Sequence, residues 1–178
     1  MRPAGNGAAQ GLPHDGDVTD LTQRLPDVAS LLETLDAQDY LADPPLSTAL
    51  FLAARMGQPI LLEGEPGVGK TEAAKALAVV LDTRLIRLQC YEGLTSAEAL
   101  YEWNYPRQLL AIRLAEARHE TPREADLFGP DYLLARPLLA AIEHPGPRPA
   151  VLLIDEVDRG DDEFEAFLFE LQIGRAHV

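Results

Sequence analysis

The sequence is poor in the residues that build disulfide frameworks and zinc sites. Cys90 is the only cysteine among 178 residues, so no disulfide can form within the chain. The four histidines, His14, His119, His144 and His177, show no spacing typical of metal ligands. The single cysteine and the spacing of the histidines predict a cytosolic protein without a zinc site.

Basic residues and long apolar runs are scarce as well. The chain has 15 Lys and Arg against 29 Asp and Glu, a formal net charge of -14, and this negative field repels nucleic acid and anionic membrane surfaces. No apolar run approaches the roughly 18 residues of a membrane-spanning helix, and Arg2 is not followed by the apolar core of a signal peptide. We therefore expect no nucleic-acid partner, no membrane span and a cytoplasmic location.

The hydrophobic fraction, 47%, is sufficient for one ordinary globular core. Residues 1–20 contain almost no large apolar side chain, which predicts a disordered tail. A short amphipathic helix is predicted after Asp27. A longer helix is predicted over Pro44–Met56, because Asp43 can cap its start and Gly57 can end it.

A strand, a glycine-rich loop, a helix and a second strand are predicted between residues 60 and 90. Ile60–Glu63 is a short apolar run typical of a buried parallel strand. Thr71–Leu81 has apolar residues on one helical face, and Arg84–Cys90 alternates like a second strand. This order of elements starts a βαβ unit and predicts an α/β fold with a parallel sheet.

The second half of the chain is predicted to be helical up to one clear strand. Prolines and glycines interrupt the helical pattern of residues 91–149. The run "AVLLIDEVD", Ala150–Asp158, is the clearest strand and ends in two adjacent carboxylates. Asp161 or Asp162 can then cap a helix whose apolar residues follow the i, i+3, i+4, i+7 rule, namely Phe164, Phe167, Leu168 and Leu171.

The segment "GEPGVGKT", Gly64–Thr71, fits the pattern G-x-x-x-x-G-K-[ST] between the predicted strand and helix. Its glycines allow successive N–H groups to turn inward around an anion at a helix start. Lys70 would neutralise the β and γ phosphates of a nucleotide, and the Thr71 hydroxyl would bind Mg²⁺. The alternative is a glycine turn with a merely solvated Lys70. The predicted nucleotide-binding residues are Gly64, Glu65, Pro66, Gly67, Val68, Gly69, Lys70, Thr71 and Glu72.

Asp155 and Glu156 follow the clearest strand, at the carboxyl end where ligands of open α/β sheets collect. Asp155 is predicted to hold Mg²⁺ directly or through a water, together with Thr71. Glu156 is predicted to orient and deprotonate the attacking water, so Glu156 and Lys70 are the predicted catalytic residues. The alternative is a charged pair that ends a strand at the surface.

Together, "GEPGVGKTE" and "LLIDEVDR" resemble the AAA+ ATPases, and more narrowly their MoxR-type branch. The segments "CYEGLTSAEALYEWNYPRQLL" and "DDEFEAFLFEL" are similar to MoxR relatives associated with carbon monoxide dehydrogenase maturation. The resemblance covers about residues 39–172 and implies a P-loop NTPase fold, a three-layer sandwich with a parallel sheet. It makes Gly64–Thr71 the Walker A loop (within a P-loop region of about 59–81), Asp155 and Glu156 the Walker B pair (within 150–158), and it places a helix-2 insert within residues 91–149. One departure is Asp158, where many MoxR proteins carry Asn.

This resemblance implies a chaperone-like ATPase that uses ATP and Mg²⁺ within a homo-oligomeric, hexameric ring. A von Willebrand factor A domain partner and a client metalloenzyme are implied in the same way. Two other functions remain open from the residues themselves. One is another P-loop enzyme, a GTPase or small-molecule kinase, although no N-K-x-D guanine motif is present and a kinase would not need Glu156. The other is a nucleotide-responsive binding module that does not hydrolyse.

The predicted large subdomain, residues 21–172, is expected to be incomplete at its C-terminal end. AAA+ sheets like the one implied have the strand order 5-1-4-3-2, so a strand from sequence after Gln172 would lie beside Ile60–Glu63. Without that strand, the fragment alone is expected to hydrolyse little ATP and to form no ring. Residues 173–178 are expected to be a non-native tail, because Gly174 and Arg175 interrupt an apolar helical repeat. A gap or a makeshift pairing is expected between Ile60–Glu63 and the strand that ends at Asp155.

Two further clusters have a bland and a functional interpretation. Three aromatic residues recur with period two, namely Tyr101, Trp103 and Tyr105. They could be exposed side chains that bind a client protein. We favour the other interpretation, in which they pack within the insert. The acidic residues Asp161–Glu163 are interpreted as the favourable first turn of a helix rather than a second metal site.

Overall fold

A computed structural model describes residues 25–65 and 67–173. Helices alternate with strands along this part of the chain, which confirms the predicted α/β class. The predicted tails lie outside it, apart from Ile173, which ends a helix. The elements are α1 Val28–Asp36, α2 Pro44–Met56, α3 Lys70–Val80, β1 Leu85–Gln89, α4 Ser96–Leu100, β2 Tyr101–Trp103, α5 Tyr105–Ala117, α6 Glu124–Leu127, a 3₁₀ turn Pro130–Tyr132, β3 Leu133–Ala135, α7 Pro137–Ile142, β4 Val151–Asp155, a 3₁₀ turn Val157–Arg159 and α8 Asp162–Ile173.

Contacts along the chain divide it into two compact units. Among the described residues, the first unit comprises 25–65, 67–85, 142–151 and 169–173, and the second comprises Ile86–Ala141 and Leu152–Leu168. The glycine-rich loop thus belongs to the first unit, and the paired carboxylates belong to the second. No helix in the described ranges is both long and apolar enough to cross a membrane.

Aspartate caps start the first two helices; the cap at Asp43 was predicted, and for Asp27 only the helix that follows it. The Asp27 carboxylate accepts the backbone N–H of Ser30 at 2.8 Å, and the Asp43 carboxylate accepts that of Leu46 at 2.8 Å. These bonds satisfy N–H groups that have no partner within the helix. Helix α2 ends at Gly57, whose φ of 62° suits glycine at this position.

The core of the first unit forms where α1, α2 and α3 present their apolar faces. Leu31 and Leu35 of α1 are fully buried, and Leu50 of α2 is 1% exposed. Tyr40 and Ile60 pack against the same cluster from the loops. Its buried members are Leu25, Leu31, Leu35, Leu50, Ala76, Leu77 and Val80. This core supports the helix that follows the glycine-rich loop.

Strands β1 and β4 pair in parallel. The Val151 N–H donates to the Arg84 carbonyl at 3.0 Å near one end, and the Cys90 N–H donates to the Asp155 carbonyl at 2.9 Å near the other. Both strands were predicted, with ends one to three residues longer. Parallel strands cannot be joined by a tight turn and need a long crossover connection. The segment between Gln89 and Val151 provides it.

The predicted strand Ile60–Glu63 is wrong. These residues form no strand; Ile60 packs on the core, whereas Leu61 is 69% exposed. A strand requires a hydrogen-bonded neighbour, and in the described part of the chain β1 pairs with β4 while β2 pairs with β3. The apolar run therefore reflects two half-buried side chains, Ile60 and Leu62, rather than a sheet position.

The segment between β1 and β4 contains the predicted helices and also an antiparallel strand pair that the sequence did not indicate. Strand β2 pairs with β3 in the register Tyr101↔Ala135, Glu102↔Leu134 and Trp103↔Leu133. The half-buried Trp103 ring meets the edges of Tyr101 and Phe128 at centroid distances of 5.9 and 5.2 Å. Packing within the insert therefore accounts for Trp103, whereas Tyr105 begins α5 and is 59% exposed.

Truncating Leu50 should destabilise the first unit, because its side chain is 1% exposed within the leucine-rich cluster. We expect Leu50→Ala to lower the free energy of unfolding by about 2–5 kcal/mol. Urea denaturation followed by circular dichroism measures this change. The matched control is Leu52→Ala in the same helix, since Leu52 is 48% exposed; equal losses for the two variants would contradict the assigned core.

Candidate functional site

The glycine-rich loop leads into the N-terminus of α3 without a side-chain cap. Gly69 is the N-cap residue, adopts a left-handed conformation with φ of 93°, and contributes no side-chain hydrogen bond. The first-turn N–H groups of a helix have no partner inside the helix, and the helix dipole adds positive potential there. The start of α3 therefore has the properties of an anion-binding site.

Gly67 shows why glycine is needed in this loop. Its φ is 87°, and a Cβ at this position would meet nothing within 4 Å. Space alone would thus allow a larger residue, but the backbone conformation disfavours any side chain. Conformation, rather than crowding, accounts for the glycine.

Lys70 folds back over the loop that precedes it. Its Nζ donates to the carbonyl of Gly64 at 2.5 Å and to that of Glu65 at 3.0 Å. An ammonium group has three donors, so one remains after these two bonds. The ammonium is thereby held at the loop, where a phosphate would need it, although Pro66 lies outside the described residues.

The two residues after Lys70 differ in their surroundings. Thr71 is half-buried in the first turn of α3. Glu72 is exposed and forms an ion pair with Lys75, in which the Oε1 to Nζ distance is 2.6 Å. A negative charge in the first turn also stabilises the helix through its dipole. Glu72 therefore has a structural role in α3 in addition to its predicted contact with the nucleotide.

An open pocket of about 410 Å³ lies beside the loop, and sequence reasoning missed it. Tyr40 contributes an aromatic ring, and its Cε2 atom would lie 3.7 Å from a Cβ on Gly69. Burial, and then the charge of Asp43, raise the pKa of Tyr40, so its hydroxyl stays protonated. The lining residues are Gln38, Asp39, Tyr40, Gly69, Glu72, Lys75, Ala76 and Val79. No short motif identifies this pocket, because residues 38–40 are distant from the loop in sequence and approach it only in the folded chain.

In the second unit, Asp155 ends β4 and is fixed through its backbone and its side chain. Its carbonyl accepts the Cys90 N–H, and its Oδ2 lies 2.6 Å from Nη2 of Arg87 on β1. Arg87 also donates to the Gln89 side chain at 2.7 Å. The Asp155 side chain remains 23% exposed, so it is reachable from solvent.

Glu156 follows with a backbone conformation that non-glycine residues seldom adopt. Its φ is 53° and its ψ is 48°, at the start of the 3₁₀ turn Val157–Arg159. Its Oε2 lies 2.8 Å from Nε of Arg159, and its side chain is 46% exposed. Strained positions of this kind concentrate at functional sites, and here the strain turns the chain directly after the strand.

The buried Cys90 thiol lies near these carboxylates. Burial raises its pKa, and the charges of Asp155, Asp158 and Glu156 raise it further. The thiol is therefore protonated at neutral pH and is a poor nucleophile.

The donor atoms fit Mg²⁺ better than a softer metal. The Thr71 hydroxyl and the Asp155 carboxylate each carry oxygen donor atoms, the kind that Mg²⁺ prefers, and Mg²⁺ takes most of its ligands from phosphates and water. Among residues 25–65 and 67–173, no group of three or more His, Cys, Asp or Glu side chains could hold a metal alone. A metal at either residue would thus depend on ligands that a nucleotide supplies.

The structure groups the predicted site residues by unit. Gly64, Glu65 and 67–72 lie together in the loop and the first turn of α3, in the first unit. Asp155 and Glu156 lie together at the end of β4, in the second. Their contacts with Arg87 and Arg159 were not predicted.

One comparison with known proteins identifies a family for this chain. The family model described as "AAA domain (dynein-related subfamily)" matches residues 59–171, more than half of the chain, and this range contains both the loop and the carboxylates. No curated protein and no solved structure matched the chain. The chain therefore belongs to the AAA domain family, dynein-related subfamily, and is an ATP-binding ATPase of the AAA+ type.

Proposed function

We propose that the chain binds Mg·ATP through Gly64–Thr71 and hydrolyses it with Glu156 as the residue that activates water. The observation that carries this proposal is the loop, with left-handed glycines before an uncapped helix start. Lys70 folded over the same loop adds a fixed positive charge. Backbone donors and one ammonium are what a polyphosphate chain requires.

In this proposal the residues divide the work. The α3 N–H groups and the free donor of Lys70 bind phosphate oxygens. Thr71 and Asp155 are the Mg²⁺ ligands, and the metal, when bound, would neutralise charge on the β and γ phosphates. Glu156 accepts a proton from the attacking water.

The ion pair of Glu156 with Arg159 is compatible with that last role. Both side chains are substantially exposed, at 46% and 62%. Exposed pairs are weak and exchange readily with solvent. The carboxylate can therefore leave Arg159 and accept a proton, while the turn Val157–Arg159 keeps its backbone in place.

The pocket beside Gly69 is proposed to take the nucleotide base. Tyr40 offers an apolar aromatic face, and its protonated hydroxyl can donate a hydrogen bond. Lys75 and Glu72 supply polar groups at the margin of the same pocket. A mostly apolar cleft with a few polar groups suits a planar heterocycle.

The finer part of the proposal is a MoxR-type, chaperone-like ATPase that works as a hexameric ring in the cytoplasm. It rests on the resemblance of residues 90–110 and 161–171. A von Willebrand factor A domain partner and a metalloenzyme client belong to this finer part. They rest on family analogy and not on any site geometry.

Removing the Lys70 ammonium should weaken ATP binding. A charge-assisted contact contributes about 1.5–3 kcal/mol, so Lys70→Ala should lower the affinity for labelled ATP by about ten-fold or more. The control is Arg113→Ala, which removes one exposed positive charge from α5. Unchanged affinity in Lys70→Ala, measured by fluorescence titration, would reject the loop as the phosphate site.

Removing the Tyr40 ring should weaken binding of ATP but not of inorganic tripolyphosphate. Stacking of a base on an aromatic ring contributes about 1–3 kcal/mol, and tripolyphosphate has no base. Tyr40→Phe keeps the ring and should bind ATP within about three-fold of the parent, given the modest net value of one hydrogen bond. Equal losses of ATP and tripolyphosphate in Tyr40→Ala would place the base elsewhere.

Neutralising Glu156 should separate binding from hydrolysis. In any preparation of the protein that turns over Mg·ATP, Glu156→Gln should bind ATP with parental affinity and hydrolyse it about 10² to 10⁴ times more slowly. Asp158→Asn makes the same change of charge two residues later and should retain turnover. Parental phosphate release from Glu156→Gln would assign water activation to another residue.

A further inference from the structure

Arg87 occupies an outward-facing position on a strand whose other face is buried. In β1 the residues Ile86 and Leu88 are buried, while Arg87 and Gln89 are exposed. Because side chains alternate along a strand, Arg87 and Gln89 share one face. That face contains the carboxylate of Asp155 on the neighbouring strand.

The contacts of Arg87 hold one oxygen of that carboxylate. Nη2 of Arg87 lies 2.6 Å from Oδ2 of Asp155 and 2.7 Å from Oε1 of Gln89. Asp155 is therefore held at two points, by Arg87 of β1 and by Cys90 directly after it, since its backbone carbonyl also accepts the Cys90 N–H at 2.9 Å. Arg87 contacts only Oδ2 of Asp155 and not Oδ1.

We propose that Arg87 is a positioning residue that makes Asp155 a poor ligand for a free divalent cation, so that the metal binds only together with the nucleotide. This inference rests on the proposed function, which assigns Asp155 to Mg²⁺. A guanidinium at 2.6 Å neutralises the carboxylate and repels a second cation placed at the same group. Phosphate charge from the nucleotide offsets that repulsion when the metal arrives bound to it.

A purely structural role explains the pair less well. Arg87 is 52% exposed and Asp155 23% exposed, and ion pairs this accessible contribute little to folding. The strand pairing is already secured by backbone hydrogen bonds at both ends. The main effect of Arg87 is therefore on the charge and direction of the Asp155 carboxylate.

Titration of the chain with Mn²⁺, with free Mn²⁺ followed by electron paramagnetic resonance and no nucleotide present, tests this inference. Arg87→Gln should bind Mn²⁺ about ten-fold more tightly than the parent, because one repelling charge close to the ion is removed. Arg87→Lys keeps the charge and should retain the weak affinity of the parent. Adding Asp155→Asn to Arg87→Gln should abolish the gain.

The control is Arg136→Gln, which breaks the exposed ion pair of Arg136 with Glu102 in the same unit. It makes the same change to the net charge of -14, so it reports general attraction of cations by an acidic chain. Equal affinities for the parent and Arg87→Gln, an equal gain in Arg136→Gln, or a gain that survives Asp155→Asn would each overturn the inference. Circular dichroism checks that each variant is folded.

The two proposals can fail separately. The Mn²⁺ titration contains no nucleotide, so its outcome decides the role of Arg87 even if Lys70→Ala leaves ATP binding unchanged. Conversely, normal ATP binding together with identical Mn²⁺ affinities would leave the proposed function in place and remove only the role of Arg87.

Discussion

The parallel hydrogen bonding of β1 with β4 is the constraint on which much of the second unit depends. It joins residues such as Arg87 and Asp155 that are 68 positions apart in sequence. A parallel pair cannot be closed by a tight turn, so the chain between the strands must leave one end of the pair and return to the other. The helices and the β2 and β3 pair of residues 96–142 form this long connection.

Positive charge is used sparingly and close to the chemistry. The chain carries nearly twice as many acidic as basic residues, yet Lys70 lies over the glycine-rich loop, and Arg87 and Arg159 each pair with one of the two candidate site carboxylates. In an acidic protein, local cations of this kind keep phosphate groups from being repelled.

Local signals made the helices of the first unit predictable. The caps Asp27 and Asp43 and the stop at Gly57 lie within a few residues of the helices that they bound, and the phosphate-loop pattern is likewise continuous in sequence. Strand Ile60–Glu63 was mispredicted because an apolar run indicates burial, whereas a strand also needs a partner. The family of the chain followed from two short motifs, and the match over residues 59–171 confirms it at the AAA+ level.

The contacts missed from the sequence are those that depend on distant residues. Strands β2 and β3 have three residues each, too few for a periodic pattern to emerge. Tyr40 precedes the loop by more than 20 positions and meets Gly69 only through the packing of α1 and α3. Arg87 looked like one polar residue of an alternating strand, because nothing in its neighbourhood identifies Asp155 as its partner.

The buried Cys90 has a consequence for how the protein would respond to oxidants. Its side chain is 1% exposed and its pKa is raised, so both access and the thiolate fraction are low in the folded chain. Sulfenic acid formation and mixed disulfides require an exposed thiolate. Oxidation of Cys90 would therefore occur in molecules in which β1 and β4 have already separated, and would report unfolding rather than regulate the folded protein.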